Sequence, residues 1–221
     1  MKYQPALQSA TLLKRYKRFL ADLQLSDGSE FTAHCANTGK MTGCAEPGFN
    51  AFYSTSTNSK RKYPQSLELT QNSLSQLICV NTAVANKVVA EAINANLISE
   101  LSNYEQLQSE VKYGNENSRI DFLLTSDERP NCYVEVKSVT LLSQDNPRSR
   151  ELIEMVEQGH RAVLLFAVLH QGINQVSAAA HIDNKYAQLL NEAINQGVEV
   201  LAYKADISTN EIILKEKLPF I

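Results

Sequence analysis

The chain has 221 residues, of which 43% are hydrophobic and 20% charged, an ordinary globular composition able to bury one large core or two compact ones. No apolar run approaches the roughly 18 residues needed to span a bilayer, and the start, MKYQPALQSATLLKRYKRFL, lacks the continuous apolar stretch of a secretory signal, so a soluble, cytoplasmic protein with no membrane partner is expected. A net charge of −3 supplies no global positive field, and any contact with a polyanion must come from local basic clusters.

Along the chain, residues 8–80 are rich in Thr, Ser, Tyr and Phe. Turn signals at Ser26-Asp27-Gly28, Thr38-Gly39, Thr42-Gly43 and Pro47-Gly48 separate short apolar runs, the pattern of a small antiparallel sheet or barrel. Between Leu12 and Leu25 two periods compete: Leu12, Tyr16, Phe19 and Leu23 fit a helical stripe, whereas Phe19, Ala21, Leu23 and Leu25 alternate as a strand. The Ser-Asp-Gly turn followed by Glu30-Phe31-Thr32-Ala33-His34 favours a hairpin, so the segment is read as strand. The cysteines Cys35, Cys44, Cys79 and Cys132 show neither CxxC nor zinc-finger spacing; they are expected to be reduced, half-buried thiols.

After Asn81 the segments lengthen and alternate between helical and strand periods, which places a domain boundary there and divides the chain into 1–80 and 81–221. Residues 82–99 read as a helix, then 107–113, 119–125 and 132–139 as strands, 148–157 as a helix and 162–169 as a buried strand. A helix over 183–196 and a last strand over 198–204 complete a sheet flanked by helices.

The chemistry concentrates in Arg119-Ile120-Asp121-Phe122 and Tyr133-Val134-Glu135-Val136-Lys137. Side chains two apart on a strand share a face, so Glu135 and Lys137 point one way and Val134 and Val136 the other. Pairing with the preceding strand would bring Asp121 beside them. Two carboxylates and a lysine at a sheet edge suit Mg²⁺, with Mn²⁺ as a substitute: Asp121 and Glu135 as oxygen ligands, Lys137 orienting a phosphate or the attacking water. Spacing alone equally allows a solvated edge strand. Glu91 falls in register with Val84, Val88 and Ala95 on the expected helix, and a carboxylate on an apolar stripe needs a partner; this adds Glu91 as a fourth candidate, although an exposed helix edge would also satisfy it.

The order of a helix with Glu91, a strand with Asp121 and a strand with Glu135-Val136-Lys137 resembles the PD-(D/E)xK nuclease superfamily. Whole segments, His34-Cys35-Ala36-Asn37-Thr38-Gly39-Lys40-Met41, Ser118-Arg119-Ile120-Asp121-Phe122 and Tyr133-Val134-Glu135-Val136-Lys137-Ser138-Val139-Thr140-Leu141, are similar to those of the sugar fermentation stimulation protein A family, and the similarity runs over almost the entire chain. The resemblance implies an α+β protein with an N-terminal OB-like β-barrel followed by a PD-(D/E)xK nuclease-like α/β domain. It also implies non-specific DNA binding and a regulatory role in bacterial maltose metabolism. The sequence departs from the family at Ala36, where Pro is usual, and between Lys137 and Glu151, where the family has an extra loop with a Pro-Asp-Ala and Arg-Gly-containing motif. Here Gln144-Asp145-Asn146-Pro147-Arg148 runs straight through, which reads as a deletion or, the favoured reading, as a mobile segment missing at this point.

For DNA itself, Lys14-Arg15-Tyr16-Lys17-Arg18-Phe19 and Lys60-Arg61-Lys62-Tyr63 interleave cations, which displace counterions from phosphates, with rings that can stack on bases. The competing reading keeps Tyr16 and Phe19 in a core. His34, with Asn37 and Thr38 in a turn, is expected to contact a phosphate or cap the loop; His160, His170 and His181 lack ligand spacing. Two functions follow: a DNA-binding protein with a metal-dependent nuclease site, or a non-catalytic DNA-binding regulator. A sugar-binding regulator ranks last in a chain without Trp. No helix-turn-helix reader is recognisable, so specific regulation would need a protein partner; the oligomeric state, a homodimer included, stays open.

Overall fold

The structure, a computed structural model, describes residues 1–114, 118–139, 148–178 and 183–221. The turn at Ser26-Asp27-Gly28 shapes its second hairpin: Asp27 Oδ1 accepts from the Ser29 N–H at 2.9 Å and the Ser29 hydroxyl at 2.6 Å, and Gly28 supplies a φ of +86°. Strand β2 (Leu20–Gln24) thereby returns as β3 (Glu30–Cys35). Strand β1 (Gln8–Tyr16) pairs with β2 on one side and β4 (Asn50–Thr55) on the other, and β5 (Gln65–Gln71) and β6 (Leu77–Cys79) follow in the order β3-β2-β1-β4-β5-β6. A short parallel pairing, His34 to Ser66 and Cys35 to Leu67, closes β1–β5 into an OB barrel. Alternate residues fill it: Ala10 and Leu12, Ala21 and Leu23, Ala33 and Cys35, Ala51 and Tyr53, and Leu67. The ambiguous 12–25 stretch is therefore strand, turn and strand. Phe19 joins neither proposed stripe, because it sits in the turn and is 45% exposed.

The second sheet runs β12-β11-β10-β9-β8-β7. Its strands are β7 (Gln106–Tyr113), β8 (Ser118–Ser126), β9 (Arg129–Val139), β10 (Arg161–Val168), β11 (Glu199–Ile207) and β12 (Ile212–Lys217). Strands β9, β10 and β11 are parallel and the others antiparallel. Helix α1 (Val84–Asn94) covers one face through Val84, Val88, Val89 and Ala92 against Phe122, Val134 and Leu165. Helices α2 (Arg148–Glu157) and α3 (Asn184–Asn195) cover the other, where Leu152, Met155 and Leu190 meet Leu164, Phe166 and Val168. Sequence reading ended the sheet one strand early: β12 buries only Ile212 and Leu214, and its Lys215-Glu216-Lys217 end is exposed, too short an alternation to stand out.

Residues near the start of the chain hydrogen bond to this second sheet rather than the barrel, with the Tyr3 N–H on the Asn210 carbonyl at 2.8 Å and the Ile212 N–H on the Met1 carbonyl at 2.8 Å. Strand β6 joins the sheets through the Cys79 N–H on the Leu169 carbonyl, 2.9 Å. All four cysteines are buried thiols outside any disulfide, not half-buried, because an uncharged thiol packs as a small hydrophobe; burial pushes Cys79 and Cys132 up to about 12. No helix among the described residues is long and apolar enough to cross a membrane. The expected loop difference between Gln144 and Arg148 falls largely on residues 140–147, and His181 on 179–182, outside the described residues.

Candidate active site at the parting of two strands

Strands β8 and β9 pair from Ser126 and Arg129 as far as Phe122 and Val134; the ladder is not continued toward Asp121 and Glu135. Where it stops, Asp121 Oδ2 accepts the Val136 N–H at 2.7 Å, so a side-chain oxygen stands in for a strand carbonyl. On its other side β8 is irregular as well. The pairing with β7 skips from Ser109 to Val111, and the intervening Glu110 has a φ of +56°. Ile120 and Phe122 consequently enter opposite cores, although a regular strand would send residues two apart to the same face.

The alternation on β9 is regular. Val134 and Val136 pack on the α1 side, while Glu135 and Lys137, opposite Leu164 and Phe166 in the register, pair at 2.7 Å between Oε1 and Nζ. Glu135 has no exposed side-chain surface and Lys137 is 32% exposed, so the lysine provides countercharge to a carboxylate that burial alone would disfavour. Asp121 is also buried, and its Oδ1 accepts from Asn86 Nδ2 at 2.9 Å. Asp121 is thus bonded to the backbone of the residue between Glu135 and Lys137, whose side chains pair with each other.

Glu91 is not part of it. Its carboxylate is 49% exposed and lies 2.7 Å from the Met1 ammonium, because Glu91 sits at the margin of the α1 stripe, whose buried members are Val84, Ala85, Val88, Val89, Ala92 and Ile93. The helix instead contributes Asn86, which sequence reading missed: a neutral amide carries no charge signal, and its position in the first turn of α1 marks it only once Asp121 is placed in space.

The basic clusters occupy connected loops of the barrel. Lys17 and Arg18 are exposed in the β1–β2 turn, and Lys60, Arg61 and Lys62 in the loop between β4 and β5. Leu20, at the foot of the first, pairs with His34, and His34 pairs with Ser66, whose hydroxyl accepts from Arg61 at 3.1 Å. At roughly 4.8 Å per strand, about 10 Å separates the two flanks. Two members of the first cluster have internal tasks. Lys14 pairs with Asp22 at 3.3 Å, and the Arg15 guanidinium donates to the carbonyls of Arg18 (2.6 Å) and Asn37. Arg15 therefore fastens the turn to the 37–40 loop. Tyr16 is held by Asp22, its hydroxyl 3.0 Å from Oδ1.

His34 is a half-buried strand residue rather than a turn residue. Asn37 is buried and caps its loop by accepting the Gly39 N–H at 2.9 Å; Thr38 is exposed. This loop reaches the second domain where the Thr82 hydroxyl donates to the Ala36 carbonyl at 3.0 Å. Thr82 precedes Asn86 by about one helical turn, so a short path runs from the basic rim through Ala36, Thr82 and Asn86 to Asp121. His170 Nδ1 accepts the Gly172 N–H at 2.9 Å and His160 packs on the Tyr133 ring, structural placements for both.

Comparison with known proteins agrees along the whole chain. The profile of the sugar fermentation stimulation protein RE domain matches residues 83–211, and that of the SfsA N-terminal OB domain residues 13–80. A sugar fermentation stimulation protein homolog of Pseudoalteromonas translucida is 92% identical over 238 residues, covering 100% of both chains; that alignment exceeds the 221 residues here, so the relative carries residues with no counterpart in this chain. A homolog from Aliivibrio fischeri strain MJ11 is 54% identical, covering 100% of this chain and 99% of its own. The solved structure of Pyrococcus furiosus SfsA in complex with Ca²⁺ superposes with a TM-score of 0.85 over 100% of this chain and 98% of that one, at 23% identity, a likeness of fold. On its matching profiles and full-length relatives, the chain belongs to the sugar fermentation stimulation protein family.

Proposed function

We propose that this protein binds DNA along the basic rim of its barrel and that Asp121, Glu135 and Lys137 form a Mg²⁺-dependent centre for phosphodiester cleavage. The observation that carries the reading is the path from rim to acid site: Thr82, in the turn that leads into α1, holds the Ala36 carbonyl and Asn86, in the first turn of that helix, holds Asp121. A strand whose phosphates lie on Lys17, Arg18 and the Lys60–Lys62 loop would therefore run close to the carboxylates. The loops after β1 and after β4 are those with which OB barrels hold oligonucleotides.

The donor set fits a hard divalent cation, which takes carboxylate oxygens and fills its remaining positions with water and substrate phosphate. Pyrococcus furiosus SfsA was solved with Ca²⁺, another oxygen-seeking cation. Bound between substrate and protein, Mg²⁺ would offset charge on the scissile phosphate and lower the pKa of water. The chain's own residues supply position: Asn86 and the Val136 N–H fix the plane of the Asp121 carboxylate. Lys137, charged and partly open to solvent, can exchange Glu135 for a phosphate oxygen.

One observation favours a second reading, binding without cleavage: among the described residues, no three or more His, Cys, Asp or Glu are grouped so as to hold a metal ion. In that case the protein would act as a DNA-binding regulator, with a role in sugar metabolism set by a protein partner. Cleavage of supercoiled, linear and single-stranded DNA in Mg²⁺ or Mn²⁺, compared between wild type, Glu135→Gln and Lys137→Ala, separates the two. The catalytic reading expects metal-dependent product that both substitutions abolish; wild-type protein that binds DNA and makes no product would leave the binding reading standing.

A further inference from the structure

We propose that the β1–β2 turn is a preformed wedge that seats an unpaired base on Phe19, so that the DNA this barrel retains is single-stranded or locally unpaired; the proposal rests on the DNA-binding reading above and names its substrate class. Phe19 is one of five large apolar side chains exposed among the described residues, at 45%. It follows Lys17 and Arg18, both exposed and neither ion-paired among the described residues.

The backbone there is unusual. Lys17 and Arg18 have φ values of 50° and 66°, consecutive left-handed positions where Asn or Gly would sit without steric cost. Such strain persists only where the surroundings over-determine it. Here the Arg15 guanidinium grips the Arg18 carbonyl at 2.6 Å and that of Asn37, and the Phe19 carbonyl accepts the Cys35 N–H at 2.8 Å. The turn is thus clamped from both sides with its ring outward and its cations beside it. Holding an aromatic ring ready lowers the ordering cost of binding.

Charge complementarity selects a nucleic acid as the occupant, and the ring selects its state. Cations on phosphates serve duplex and single strand alike, whereas only an unpaired base presents its face for stacking. Tyr16, the neighbouring ring, is tied to Asp22 by its hydroxyl, whereas the Phe19 ring has no polar tether.

The chain contains no Trp, so Phe19→Trp introduces a single reporter at the tip. The full-length protein would be titrated with a single strand of about 16 nucleotides, the upper site size of one OB fold, and with the same sequence as a blunt duplex. Phe19→Ala is expected to weaken single-strand binding about ten-fold and leave duplex binding unchanged. Phe19→Trp should retain single-strand affinity, with its emission quenched on binding. Wild-type affinity of Phe19→Ala for the single strand, or unquenched emission from Phe19→Trp at saturation, overturns the wedge while leaving DNA binding intact. A loss confined to duplex would overturn it in favour of insertion between paired steps. Wild-type protein that binds neither DNA overturns the DNA reading and the wedge together.

Discussion

Asp121 accepts the Val136 N–H at 2.7 Å where the strands carrying them have ceased to pair. The carboxylate is therefore structural before it is chemical: it satisfies a backbone donor that a continued ladder would have met with a carbonyl, and its other oxygen holds Asn86. Removing it disturbs fold and site together, so the two roles must be separated by choice of variant.

Asp121→Ala leaves the buried Val136 N–H and Asn86 amide without their acceptor and is expected to cost about 1–3 kcal/mol in urea unfolding. Asp121→Asn keeps an oxygen for Val136 and, if the Asn86 amide turns over, a hydrogen bond there too. Its stability should lie close to wild type, while metal-dependent cleavage is lost in both variants. Cleavage retained by Asp121→Asn would remove Asp121 from the catalytic set.

Asn86 and Glu91 exchange the importance that charge alone would give them. Loss of a group that orients a ligating carboxylate typically costs about 10–100-fold in metal affinity or activity, and Asn86→Ala is expected to fall in that range. Glu91→Gln, whose wild-type carboxylate is half exposed and paired with the Met1 ammonium, should cleave as wild type does. Initial rates on one DNA substrate decide between them.

Arg15 and its neighbours separate bracing from binding. Arg15→Ala removes charged hydrogen bonds to carbonyls of the turn and the 37–40 loop, each worth about 1.5–3 kcal/mol at most; a clear drop in unfolding midpoint is expected. Arg15→Lys should not rescue it, since a single ammonium lacks the guanidinium fork. Lys17→Ala, by contrast, should leave stability unchanged, because it breaks no side-chain hydrogen bond or ion pair among the described residues and keeps the same left-handed φ demand, and should reduce the salt dependence of DNA affinity by about one phosphate contact.

Glu100 sets an acid limit on the fold. Partial burial opposes its charge, but the Lys217 ammonium, the Tyr203 hydroxyl at 2.6 Å and the Ser99 hydroxyl outweigh burial and hold the carboxyl down to about 2. Because the folded value lies below the ordinary 4.5, the stabilisation is complete above that pH and is lost as pH falls toward 2. Wild type should therefore exceed Glu100→Gln in urea midpoint near neutrality, with the difference narrowing on acidification below about pH 5. A pH-independent difference would assign the effect to packing.

Much of this architecture is written locally. The Ser26-Asp27-Gly28 turn, the alternation of Ala21 with Leu23 and of Ala33 with Cys35, and the apolar stripe of α1 are properties of short segments, so strands, helices and the shared face of Glu135 and Lys137 could be read directly. Family membership, carried by longer segments, was equally legible. The tertiary structure alone decided which distant residues meet. Asn86 reaches Asp121 across 35 positions, closure of β3 on β5 unites two basic clusters, and Arg15 turns inward because the 37–40 loop folds over it. The physical reason is that periodicity fixes only the face a side chain occupies on its own element; its partner is set by the packing of elements remote in sequence, and here also by the irregularity that parts β8 from β9.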